Sequence, residues 1–112
     1  MANSSSFAID SQVQADSARM SVSGELDIAT VGQLEAEVGS VLAQGIRALV
    51  LDLSGLTFID SSALRLFIVL GERSAEEDWQ LSMIRPSGQA RSIFQISGAE
   101  EHLPFIEDPG AQ

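Results

Sequence analysis

The spacing of apolar and polar positions changes several times along this chain, and each rhythm predicts an element. Phe7, Ile9 and Val13 fall on odd positions in a mostly polar stretch, a weak period-two pattern that predicts an N-terminal edge strand. From Ala18 the alternation sharpens. Ala18, Met20, Val22 and Leu26 interleave with Arg19, Ser21, Ser23 and Glu25, the signature of a half-buried strand. Gly24 takes the inward slot between Val22 and Leu26, where a neighbouring backbone has room to approach. The period then lengthens: Val31, Leu34, Val38, Val41 and Leu42 share one helical face, with Thr30 as the N-cap and Gly45 as the stop. Residues 48 to 51 are continuously apolar, which predicts a strand covered on both faces. A second helix is predicted from 61 to 77, apolar nearly all round in its first half and therefore deeply packed. Residues 79 to 84 make a third core strand, stopped by Pro86. Ala90, Ile93, Phe94 and Ser97 mark a short helix closed by Gly98, and 103 to 106 a last, shorter strand.

Strands thus alternate with helices from Ala18 onward. That order predicts an α/β fold: a mostly parallel sheet of about four to five strands with right-handed crossover helices, and the N-terminal strand antiparallel at one edge. A chain of 112 residues suits one domain, with its core at about 7 to 108 and frayed ends at 1 to 5 and 109 to 112. An apolar content of 45% excludes a disordered acidic tail. The longest apolar run, 66 to 70, is far too short to cross a bilayer, and the start MANSSSF has neither the basic nor the apolar region of a signal peptide. The absence of cysteine excludes disulfides and thiolate metal sites, so a soluble cytoplasmic protein is expected. The formal charge of −10 comes from sixteen acids against six arginines, with no lysine. Such a surface repels nucleic acid and anionic membrane, so neither is an expected partner. It would steer in a protein with a basic face, or simply keep the chain soluble.

Chemistry concentrates where FIDSSAL interrupts the apolar run. Asp60 is a natural N-cap, which would make Ser61 and Ser62 the first two helical residues. On the residues alone two readings stand: plain capping, or a hydroxyl held out for chemistry. Loops leaving the carboxyl ends of parallel strands gather on one rim, so Asp27, in GELDIAT, should lie close to this turn if the two strands are neighbours. Glu25 would point out of the sheet below it. A phosphate on either serine would be tolerated at the positive end of the helix, yet would add about −1.5 to −2 of charge beside Asp60 and Asp27. The result is a changed surface on an intact domain.

GELDIAT and LDLSGLTFIDSSALRLF closely resemble the signature regions of the STAS domain, in the subgroup of bacterial anti-sigma factor antagonists, or anti-anti-sigma factors. PSGQARSIFQISGAEEHLPF is similar to the family's closing helix, with Arg91, Phe94 and Gly98 at the corresponding places. The resemblance implies a STAS-type fold for the whole chain and a mechanism. Such an antagonist, unphosphorylated, binds an anti-sigma factor that is also a serine kinase and so frees a sigma factor. Phosphorylation of the serine after the aspartate ends the binding, and a serine phosphatase resets it. Carried over, Ser61 is the acceptor, Asp27 supports it by a hydrogen bond to its hydroxyl and Asp60 by shaping the turn, and Ser62, Ala63, Arg65 and Glu25 contribute to docking. The family pattern usually has glycine where this chain has Ala63, which adds a methyl where a partner backbone could approach. Related domains act without a serine switch as accessory or scaffold modules of transporters, lipid-trafficking complexes or stress-signalling assemblies, the alternative role. A monomer or weak dimer is expected.

Enzymatic readings find little support. Serine nucleophiles need a base and an oxyanion hole, but the only histidine, His102, lies near the far end and there is no G-x-S-x-G elbow. No Walker or dinucleotide pattern exists, so no cofactor is expected, and ATP should bind the kinase partner. The acids of AEED, 75 to 78, read as a solvated helix end and not a metal site. Phe58 and Ile59 read as core residues, although one exposed apolar side chain near the turn could also serve a partner.

Overall fold

A computed structural model describes residues 7–108; the expected frayed ends fall outside these residues. The elements run β1 (Ala8–Gln14), β2 (Ser17–Leu26), α1 (Val31–Ala43), β3 (Ala48–Ile59), α2 (Ser61–Glu77), β4 (Gln80–Ile84), α3 (Gly88–Ser97), a 3₁₀ turn (Ala99–Glu101) and β5 (Phe105–Ile106). The strands form one five-stranded sheet in the order β1-β2-β3-β4-β5. β1 pairs antiparallel with β2 and the other neighbours are parallel, as the alternation of elements predicts.

A parallel sheet laid down in strict sequence order has no reversal, so crossovers of one hand carry every helix to the same face. Burial agrees. The cross-strand rows Ala18–Leu49–Leu81 and Met20–Leu51–Met83 are buried, whereas the row Arg19–Val50–Ser82 on the opposite face is only partly covered. On the packed face the Phe94 ring lies 5.8 Å from that of Phe67 and 5.2 Å from that of Phe105, joining α2, α3 and β5 in one core. Two expectations are corrected by this one-sidedness. The 48–51 strand is not enclosed by helices on both faces, and α2 is not packed all round. Ala63, Leu66, Phe67 and Leu70 are buried, but Ile68 and Val69 face outward, 43% and 38% exposed.

The open face is polar. Asp52, nearly buried on β3, bonds the Arg19 guanidinium at 2.7 Å and accepts from Ser54 Oγ at 2.7 Å and Ser54 N at 3.0 Å. Burial pushes this carboxyl up, but the Ser54 and Arg19 bonds outweigh it and hold it below the ordinary carboxylate range.

β3 is longer than its apolar signal suggested. It runs to Ile59 and slips register twice against β2, with the extra residue on β3 each time. A close backbone approach is found at Gly55, where an added Cβ would sit 2.9 Å from Ser23 Cβ and 3.2 Å from Val22 O. Gly24 is buried and takes a positive φ of 90° beside the second slip. Val13 shares the inward face of β1 but stays 48% exposed, because β1 lies at the sheet edge.

Candidate functional site at the sheet rim

β2 and β3 are neighbours, so the loops that leave them meet at one rim, as expected. Asp60 is the N-cap of α2 in extended backbone (φ −123°, ψ −172°), and Oδ1 accepts from Ser62 N at 2.9 Å and Ala63 N at 3.3 Å. Its second oxygen, Oδ2, accepts from Ile28 N at 3.2 Å and so ties the β3–α2 turn to the β2–α1 loop. Asp27 closes that second loop: Oδ1 accepts from Ala29 N at 2.9 Å, and its carbonyl accepts from Thr30 N and Val31 N at 3.0 and 2.8 Å. Thr30 does stand at the N-cap position, but its hydroxyl makes no cap. It accepts from Asp27 N at 3.0 Å and donates to Glu25 O at 2.9 Å, fastening the loop from within.

Ser61 is the first residue of α2 and is exposed, and its hydroxyl makes no hydrogen bond with another described residue. The hydrogen bond expected from Ser61 to Asp27 is corrected: the two are joined through Asp60 and Ile28 because the Asp27 carboxylate is turned into its own loop, toward Ala29 N. Ser62 is half-buried. Arg65, one turn after Ser61, is exposed and forms no ion pair among the described residues. With Ile28, Val31, Glu35, Ser61, Ser62 and Val69 it lines a shallow groove of about 470 Å³ between α1 and α2. Glu25 is exposed and sits beside Phe58 on the open sheet face, outside this groove. Ala63 corrects an expectation. It is fully buried within the core cluster, so its methyl is not presented to a partner.

Two contributors escaped the sequence, and one was weighed only as the alternative to core. Ile28 stands at the rim 78% exposed, and Phe58, read as core, is 38% exposed on the open face, while Ile59 is buried as read. Gln89 is the third. β3 pairs with β4 only as far as Asp52, so the backbone of Ile59 has no strand on that side. The Gln89 amide substitutes for one: Oε1 accepts from Ile59 N at 3.2 Å and Nε2 donates to Ile59 O at 3.4 Å. The glutamine in PSGQA was a usable signal only with knowledge of where β3 ends. His102 lines a separate groove with Ile68 and Leu103. Among the described residues no cluster of acids and histidine could hold a metal ion, and no helix is long and apolar enough to cross a membrane.

A family model described as Mlab, STAS domain, matches residues 9–107. BtrV of Bordetella bronchiseptica, to which the role of anti-sigma factor antagonist is provisionally assigned, is 32% identical over 75 residues, 67% of this chain. The match spans 65% of that relative's length. The anti-sigma-B factor antagonist of Staphylococcus aureus strain NCTC 8325 is 28% identical over 86 residues, 77% of this chain and 80% of its own. Among solved structures, an anti-sigma factor antagonist from Mycobacterium paratuberculosis superposes with a TM-score of 0.75 at 26% identity, covering 93% of this chain and 88% of its own.

Proposed function

The chain belongs to the STAS domain family, and from that membership we propose that it is an anti-sigma factor antagonist controlled by phosphorylation of Ser61. Unphosphorylated, it binds an anti-sigma factor with serine kinase activity and frees the sigma factor held there. The observation that carries this reading is the state of Ser61. Its hydroxyl is exposed and unengaged at a helix N-terminus whose cap is already supplied by Asp60. A serine needed only for capping would have its oxygen on a backbone amide.

The groove beside Ser61, lined by Ser62, Arg65 and the exposed Ile28, is suited to receive the partner, and Glu25 and Phe58 would contribute from the open sheet face outside it. The kinase's own ATP supplies the phosphoryl group. Two negative charges then stand at the docking surface next to Asp60, and the partner is released while the fold persists. A serine phosphatase reverses the change. Asp27 acts by holding the β2–α1 loop, and with it Ile28, against the phosphorylated turn. Sigma factors work in the cytoplasm, and this reading puts the protein there.

The test is peptide-mapped mass spectrometry of the protein from its native cells under growth and stress, beside a Ser61→Ala variant. Phosphate on Ser61 that changes with condition, and a Ser61→Ala protein that stays bound to the kinase, are the expected results. Undiminished phosphorylation of the variant would refute Ser61 as the acceptor. Membership of the STAS domain family also supports a second reading: an accessory or scaffold module of a transporter, lipid-trafficking complex or stress-signalling assembly, docking without a serine switch. Recovery of a permease or ATPase subunit in place of a kinase, with Ser61 unmodified throughout, is the result it requires.

A further inference from the structure

The two edges of the sheet are treated differently. β5 is only two residues long, which leaves little edge to pair. β1 is a seven-residue strand in unbroken register with β2, and its other side has no partner strand among the described residues. It carries none of the usual guards: AIDSQVQ contains no lysine, no proline and no bulge. On a chain of net charge −10 it has one charged residue, Asp10.

We infer that β1 pairs antiparallel with β1 of a second copy, joining two sheets into one across a twofold axis at Ser11. Keeping the core faces of both copies on the same side requires odd residues to face odd residues. Centring on Asp10 sets two carboxylates directly opposite. Centring on Gln12 leaves Ile9 unpaired. Centring on Ser11 pairs all seven residues: Ile9 meets the second copy's Val13, Asp10 meets Gln12, and Ala8 meets Gln14. Val13, half-exposed at the edge, gains an apolar neighbour on the side away from Ala18. Ile9 and Val13 both lie on the core side, opposite Val22 and Ala18 of β2, so the apolar strip is continuous across the axis.

Two features set the strength and the consequence. Ser11 Oγ donates to Glu37 Oε2 at 2.8 Å, so the Glu37 carboxylates of the two copies converge at the axis, adding to the repulsion of two acidic chains. The dimer is therefore weak at low salt and tightens as salt screens these charges. The axis also turns the sheets end for end. The two Ser61 rims point in opposite directions, and one dimer offers two unobstructed docking sites.

Sedimentation velocity of the full chain, from micromolar to millimolar concentration at low and moderate salt, reads the association. The expected result is a monomer–dimer equilibrium shifted toward dimer by salt. Gln12→Glu sets two like-charge pairs opposite Asp10 and weakens the dimer about tenfold. Its neighbour within the chain is Arg19, so the fold is spared. Val13→Lys also weakens association although it reduces the net negative charge. Asp10→Lys with Gln12→Glu restores opposite charges across the axis and recovers the dimer. A monomer under every condition overturns the inference. So does a dimer indifferent to Gln12→Glu and Val13→Lys, or one that the double variant fails to recover.

Discussion

Replacing Gln89 tests whether a single side chain finishes the sheet beneath the site. Its amide bonds both the N–H and the C=O of Ile59, a residue only 1% exposed, while Gln89 itself lies open to solvent. That contrast separates two substitutions. Gln89→Ala removes both bonds but opens a path for water, so the loss is the net value of two modest hydrogen bonds, about 1–2 kcal/mol. Gln89→Met keeps the bulk and covers the same two groups without bonding them, so part of the desolvation penalty is added and the loss rises to about 2–4 kcal/mol. Helix propensity does not account for this order, since methionine is only slightly worse than alanine. Urea unfolding at neutral pH gives both values. The disturbance sits one residue before Asp60, so both variants should also lower the rate of Ser61 phosphorylation. A methionine variant as stable as the alanine one, or more so, would refute the claim that Gln89 serves as the missing strand.

Asp60→Ala should cost about 1–2 kcal/mol in urea unfolding, because the cap of α2 and the link to Ile28 N go together. Asp52→Asn should cost about 1.5 kcal/mol at neutral pH. The Asp52 carboxyl is held below its ordinary range when folded, so its contribution is fully present above the unfolded pKa of about 4 and is lost as pH falls through the folded value. The gap between native and Asp52→Asn proteins should therefore narrow below about pH 4, and a gap that persists there refutes the pairing. Ser61→Asp should leave Tm within a few degrees of native, since an acid at a helix N-terminus is worth only about 0.3–1 kcal/mol, and should abolish capture of the kinase partner. A collapsed thermal transition would mean that the hydroxyl is structural.

How much could be read from the chain follows from which forces are local. β2 was legible residue by residue, since one face is wet and the period of two survives in the sequence. α1 and α3 were legible from apolar spacing and from terminating glycines, Gly45 just beyond the end of α1 and Gly98 as the left-handed C-cap of α3. α2 had the right bounds but the wrong environment. Its apolar run could not reveal that the sheet has helices on one face only, which depends on strand order and leaves Ile68 and Val69 outside. At the site, Asp60 was legible because capping is local, and its approach to the Asp27 loop followed from two strands being adjacent. Gln89 was not, because its partner is thirty residues away and is defined by where β4 stops pairing.

Capping and chemistry first stood as alternatives at Asp60-Ser61-Ser62; the geometry puts the cap on Asp60 and leaves the Ser61 hydroxyl exposed, as the proposed switch requires. The helix end needs a fixed acceptor for its first amides, and Asp60 provides it with one carboxylate oxygen while the other holds the adjacent loop. That leaves the next hydroxyl without structural duty. A switch residue must satisfy two demands: the fold must not depend on it in either state, and its surroundings must be rigid enough for a change of charge to matter to a partner. Were Ser61 itself the cap, phosphorylation would begin to unwind α2. Were the turn uncapped, the phosphate would sit on a mobile loop and a partner could adapt around it. A fixed acid immediately before a free serine satisfies both demands. It follows that moving the serine one position onward, as Ser61→Ala with Ser62 retained, should not rescue regulation, because Ser62 is half-buried and its amide is already committed to Asp60.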